Sequence, residues 1–591
     1  MNALRPAPLL ALLILAACAQ EPRHAEPLQV AAPEKQQVKP KVTVAKPARH
    51  QAPLPPLELT DQLMFKLMLA EVAMQRGQPQ VAVPAYLELA RETKDPRIAQ
   101  RATEIAWNAR MIPAALEAAG LWLQADPEST QARQILAALL VNQSQLADAQ
   151  PHLEKWLAAD PANIGSSFLQ LSKLLARHKD RQAVLQLLQA LAKPYSQVPE
   201  ARLTVAQAAW TAGAQQIALD ESLAALELRP DWELAALFHA QALQRRSNAE
   251  AANFLADYLK SHPQARDARL TYARLLVTDK RYAEARKEFE TLLADQPDNG
   301  DLTMAVALLT VQAGDYDMAE KLFNRVLASD YKDPDAARLY LGQLYEERKR
   351  YDEALQAYAS VRQGEHYINA QARYAGVLAK EGKLGEARKH LNAVSVQNNQ
   401  QRVQLTEAEA QLLRDANQYQ EAYDLLGQAL TQLPNYPDLL YDHAMAAEKV
   451  ERLDVLEADL RKLIEIRPDH AHAYNALGYT LADRNERLPE ARSLIEKALN
   501  LAPEDPFIMD SMGWVLFRMG QNKEALEYLQ RAFMLRADAE IAAHFGEVLW
   551  VDGQQEQARK VWSEGLKQNA KNELLQNTVK RYAPLILPAA R

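Results

Sequence analysis

An alanine, followed four residues on by a large apolar residue and seven on by a small or apolar one, recurs along most of the 591-residue chain. It stands at Ala82, Ala115, Ala149, Ala183, Ala218, Ala251, Ala285, Ala319, Ala354, Ala387, Ala422, Ala491, Ala525 and Ala558, with Leu456 in its place once. Every spacing is 33 to 35 residues. A fixed period of this size means one small unit stacked many times, because such a unit cannot bury its own apolar face. With only 18 glycines and an excess of Ala, Leu, Gln and Glu, the unit is helical.

Fixed positions around the anchor show what the unit is. Five residues before it stand Gly77, Gly213, Gly314, Gly382, Gly520 and Gly553, where a turn between helices needs a left-handed residue. Twelve residues after it stand Pro127, Pro161, Pro230, Pro263, Pro297, Pro434, Pro468 and Pro503, which end the second helix. Thirteen and twelve before it lie apolar–small pairs such as Leu136-Ala137, Leu341-Gly342 and Met512-Gly513. Two helices crossing closely require small side chains at the contact and large ones beside it. This resembles the tetratricopeptide repeat (TPR). The expected fold is all-α, a TPR solenoid of about 15 helical hairpins over residues 57–571, coiled into a right-handed superhelix.

Both ends need caps. Leu59-Thr60-Asp61 marks a helix start, with Thr60 or Asp61 as its cap. The run Leu63 to Leu69 that follows is unusually apolar, and Met64, Met68 and Met74 are expected to fill core. Residues 572–591 are expected to hold a capping helix, Glu573–Tyr582, closed by Pro584, and a tail.

The amino terminus carries a different signal. Arg5 precedes the short apolar run Leu9 to Leu15, which is a secretory signal rather than a spanning helix. The run ends Leu15-Ala16-Ala17-Cys18, which resembles the bacterial lipobox, and Cys18 is the only cysteine. Residues 1–17 are therefore expected to be cleaved and Cys18 lipidated. Ala19 after the cysteine resembles lipoproteins sent to the outer membrane, and the body is expected to face the periplasm. Eight prolines punctuate residues 18–56, a tether that favours extended geometry and reaches at most about 120 Å.

The formal charge of −8 divides into +4 on residues 1–56 and −12 on the remainder. An acidic body excludes nucleic acid as partner, which needs a basic stripe. One cysteine excludes a disulfide framework and a thiolate metal cage. The twelve histidines are scattered, and His470 and His472 do not share a helical face. Metalloprotease, phosphate-loop and nucleophile-elbow motifs are absent from the sequence, so the expectation is a scaffold with no cofactor, no metal and no catalysis of its own.

In a stack of this kind the first helix of each hairpin lines the inner wall. In the frame set by the anchors, the free positions of the last three repeats are His472, Asn475, Tyr479 and Asp483, then Phe507, Asp510, Trp514, Phe517 and Arg518, then Glu547 and Trp550. Aromatic residues with an arginine have the composition of an interface hot spot. Tyr479 and Trp514 occupy the more outward position and are the preferred contacts. Phe517 and Trp550 share their place with Trp107 and Trp210, which favours packing against the next repeat.

The lipobox, the proline-rich tether and the long array together resemble a group of proteobacterial outer-membrane TPR lipoproteins. Two stretches carry the likeness further: Leu67 to Glu71 with Asp95 to Ala106, and Asp510-Ser511-Met512-Gly513-Trp514 with His544 to Trp550. The resemblance implies an adaptor that engages a periplasmic carboxyl-terminal processing protease, a serine protease. It also implies delivery of that protease's substrates, peptidoglycan hydrolases. Two rivals remain: a scaffold for polysaccharide export or another envelope assembly, and an activator of a cell-wall synthase. An enzyme with appended repeats is a third.

Overall fold

The computed structural model describes residues 54–583. Cys18, the signal, most of the tether and Pro584 lie outside them. The described residues hold 31 α-helices and two short 3-10 turns, and no strand. They divide into two compact units between Lys332 and Asp333. The first contains eight hairpins, from Asp61–Gln75 with Pro79–Thr93 to Gly300–Gln312 with Tyr316–Leu327. The second contains seven, from Pro334–Glu347 with Tyr351–Ala359 to Ala539–Val551 with Gln555–Gln568, followed by Glu573–Tyr582. This is the all-helical TPR solenoid that the period predicts. Among the described residues no helix is long and apolar enough to cross a membrane.

The hairpin turn explains why the period is so regular. All six predicted turn glycines have positive φ, from 66° at Gly77 to 87° at Gly553. The same place is left-handed in six of the turns that lack glycine: Arg110, Ser144, Lys280, Lys349, Asn417 and Glu451 have φ between 57° and 60°. Each accepts a conformation that disfavours a Cβ by roughly 1–2 kcal/mol. The hairpin geometry dictates the turn, and the residue follows. Before Ala491 the turn holds one residue more, with both Asn485 and Arg487 left-handed.

The anchor alanines lie at zero exposure in every hairpin but one. The exception corrects the register. Ala183 is only half-buried, and the helix Arg181–Ala192 starts so that Val184 takes the anchor's place, third after the helix start. Every other second helix also begins three residues before its anchor. At Gly513 a Cβ would lie 2.5 Å from Leu529 Cγ and 3.0 Å from the carbonyl oxygen of the anchor Ala525. Two helices therefore approach there with backbone against side chain, and no methyl group fits.

The ends differ. Thr60 caps the first helix by accepting from the Leu63 amide at 3.2 Å, as the sequence predicts. Only Ala70 and Ala73 of that helix are fully buried; Met74 packs on the core as expected, but Met64 and Met68 do not. Phe65 is 68% and Met68 59% exposed, and Met64, Leu67, Leu69 and Val72 are exposed with them. Core packing fails because, among the described residues, the helix has a neighbour on one side only, and two small alanines satisfy most of that contact. Lys66 reaches Glu88 and Glu92 on the next helix at 2.7 and 2.5 Å. At the other end Leu575 and Val579 of Glu573–Tyr582 are buried, and Tyr582 stacks on Trp562 with centroids 6.1 Å apart.

Gly513→Ala should lower stability by about 1–3 kcal/mol through overpacking. Gly376→Ala, with nothing within 4 Å of the new Cβ, should leave it unchanged or raise it by up to about 1 kcal/mol. Denaturant unfolding of the two variants gives the comparison; equal effects would remove the close-contact account of the period.

Candidate partner-binding wall

The last three hairpins place their first helices, Ala471–Asp483, Pro506–Arg518 and Ala539–Val551, side by side. Local chemistry sets their starts. Asp505 caps the middle helix by accepting from the Phe507 and Ile508 amides at 2.9 and 3.1 Å, with Pro506 in the first turn. Asp538 caps the next by accepting from Glu540 N at 2.8 Å. With both starts fixed, Asp510 and His544 face each other across the two helices.

His544 is the centre of the arrangement. Its Nδ1 donates to Asp510 Oδ2 at 2.8 Å, and its Nε2 lies 3.4 Å from the Tyr479 hydroxyl, which comes from two repeats away. Trp514 stacks on the imidazole with centroids 4.3 Å apart. Burial works against the charge on His544, but the Asp510 carboxylate, helped by Asp483 and Glu547, overrides it and holds the pKa above the usual 6.5. Burial, with Asp483 and Asp510 next, pushes the Tyr479 hydroxyl far up. The chain of Asp510, His544 and Tyr479 ties three helices together.

These contacts correct the expectation for Trp514. It is 5% exposed, closed in by His544, by Phe517 at 5.4 Å and by the Arg518 guanidinium at 5.7 Å. Asp510 is likewise only 5% exposed. The reason is that Tyr479 and His544 meet across the middle helix and cover what it would present. Tyr479 and Arg518 are half-buried, and Asp483 is exposed. Phe517 is half-buried and packs on the common core.

Glu547 and Trp550 form a second group around the terminal helix. Glu547 accepts from the Tyr582 hydroxyl at 3.1 Å, and Trp550 stacks on Trp562 at 5.6 Å and lies 6.1 Å from Tyr582. Packing within the chain accounts for Phe517 and Trp550, as their shared frame position suggests. His544 was not among the sequence candidates. The signal that points to it is an acid and a histidine one repeat apart, 34 residues.

Three polar atoms in the buried region have no hydrogen-bond partner: Asp510 Oδ1, Asn475 Oδ1 and Trp514 Nε1. Among the described residues no group of three His, Cys, Asp or Glu is placed to hold a metal ion.

A raised histidine pKa means the folded state keeps a proton that the unfolded chain has shed, so this contribution is full below pH 6.5 and fades as pH rises through the folded value. The melting temperature should therefore fall above pH 6.5, and less steeply in His544→Gln. Identical slopes in the two proteins would show that His544 does not carry the effect. Asp510→Ala, which leaves a buried imidazolium unpaired, should cost about 3–5 kcal/mol.

Tetratricopeptide-repeat family models match residues 242–309, 277–341 and 441–506. A TPR repeat-containing protein of Pseudomonas aeruginosa is 34% identical over 511 residues, 85% of this chain and 84% of the relative. Cellulose synthase operon protein C of Pseudomonas fluorescens is 25% identical over 339 residues, 47% of this chain but 26% of that protein. A TPR protein of Thermus thermophilus is similar over 30% of this chain and 96% of its own, at 22% identity and a TM-score of 0.28. One from Parabacteroides merdae covers 49% and 97%, at 15% identity and a TM-score of 0.31. With helical hairpins of constant period, left-handed turns and buried anchors along its length, the chain belongs to the family of tetratricopeptide-repeat-containing proteins.

Proposed function

We propose that this protein is a non-catalytic scaffold, anchored to the outer membrane through a lipidated Cys18, that holds a carboxyl-terminal processing protease together with its cell-wall hydrolase substrates and promotes their proteolysis. TPR arrays bind proteins in general, and the family assignment supports that class of function. The observation that carries the reading is the exposed apolar helix Asp61–Gln75. A continuous apolar face of this kind on a folded chain marks a docking surface. Its methionines and phenylalanine suit a partner's apolar groove. The helix stands directly after the tether, so a docked protease is held at the membrane while the array remains free for substrates.

The match to cellulose synthase operon protein C supports a second reading, a scaffold in polysaccharide export. The two readings differ in what the protein captures.

Phe65→Asp combined with Met68→Asp should leave the melting temperature unchanged and reduce capture of the protease in intact-cell cross-linking by at least about tenfold, since two hot-spot side chains are lost. Cys18→Ser should release the protein from the membrane fraction. Capture of export-channel subunits in place of a protease and a hydrolase would replace the adaptor reading with the second one.

A further inference from the structure

The inner wall of the second unit carries acids that the chain itself does not neutralise. Glu407 lies on Asn399–Asp415, Asp438 and Asp442 on Pro437–Lys449, Asp483 on Ala471–Asp483, and Glu540 on Ala539–Val551. None of these forms an ion pair with a lysine or arginine among the described residues. Their charges act on one another. Burial, then Asp442 and Asp438, pushes the Glu407 carboxyl up to about 7, in spite of Arg414. Burial, then Asp538 and Asp510, raises Glu540, which His544 and Lys449 only partly offset. Lys449 and Glu540 belong to hairpins three apart, and the lysine still weakly offsets the acid.

A row of acids alone is no site. The independent observation is Asp510, which is 5% exposed, sits amid this row and keeps Oδ1 without any donor. Asn475 holds the equivalent position one hairpin earlier, and its Oδ1 also lacks a donor. Trp514 Nε1, one turn from Asp510, lacks an acceptor. What is missing is therefore a set of donors with positive charge, and a carbonyl oxygen beside them. A basic polypeptide supplies both, whereas an anionic polymer is repelled by the acids around them.

We propose that the inner wall from Glu407 to Glu540 binds an extended, lysine- and arginine-rich segment of a partner protein. The proposal rests on the scaffold reading and adds the chemistry of what the array holds. Five first helices at about 8–10 Å spacing span roughly 32–40 Å, the length of an extended segment of about ten to twelve residues. Entry is at Tyr479, whose hydroxyl holds His544, the partner of Asp510, by one long contact of 3.4 Å. A cation beside Glu407 would bring its pKa down and release a proton, so binding tightens as pH rises.

The test is fluorescence anisotropy of the full-length protein with a labelled peptide alternating lysine and alanine, against its glutamate–alanine counterpart. The lysine peptide alone should bind, more tightly at pH 8 than at pH 6, and added salt should weaken it. The triple variant Glu407→Gln, Asp442→Asn, Asp483→Asn removes only unpaired acids and should fold as the parent does. It should weaken binding at least about tenfold, a loss of about 1.4 kcal/mol. Asp352→Asn with Glu386→Gln, on second helices of the same unit, should leave affinity unchanged; equal losses in both variants would reduce the effect to net charge and overturn the proposal. Replacing Lys35, Lys39, Lys41 and Lys46 by glutamine should also change nothing. Tighter peptide binding in that variant would make the chain's own tether the occupant and overturn the assignment to a partner. If the triple variant loses the peptide yet the protease is still captured through Asp61–Gln75, both readings stand. If the peptide never binds while capture persists, only the proposal for the inner wall falls.

Discussion

The close approach of two helices at a small residue is the constraint on which this molecule depends. Every anchor alanine but Ala183 is fully buried because a neighbouring helix lies against it, and Gly513 shows how near, with a carbonyl oxygen 3.0 Å from where a Cβ would stand. A stack has no central core to average out errors, so every hairpin must repeat the same contact. That requirement keeps the period within one residue of 34 over nearly the whole chain. It also explains why six turns tolerate a left-handed Arg, Ser, Lys, Asn or Glu: the helix contact is worth more than the strain.

This constraint is local, which is why the fold was legible. Alanine, glycine and proline mark helix contact, turn and helix end at fixed offsets, and each does so for its own steric reason. The one misplaced anchor, Ala183 for Val184, arose where a β-branched residue filled the contact and an alanine happened to stand beside it. The first helix was misjudged for a related reason. Apolar composition signals burial only if a neighbour exists, and among the described residues the run from Met64 to Leu69 has one on a single side.

The wall was harder to foresee, since exposure there depends on side chains one and two repeats away. Trp514 holds an outward position in its own hairpin, and no property of that hairpin says that Tyr479 and His544 close over it. Asp510 was found for its place and His544 was not, because a histidine on a packing position resembles an ordinary core residue. The two stretches that gave the family likeness at this end contain both residues, and they prove to be in contact. Asp483 and Arg518, whose surroundings are simpler, lie where the frame places them.

The bridge between Tyr479 and His544, 65 residues apart in sequence, bears on how the array comes apart. A linear stack in which each unit meets only the next can fray one hairpin at a time from its ends. A link that skips over a hairpin removes that freedom. The final three hairpins are coupled beyond nearest neighbours, which raises the cost of fraying any one of them alone.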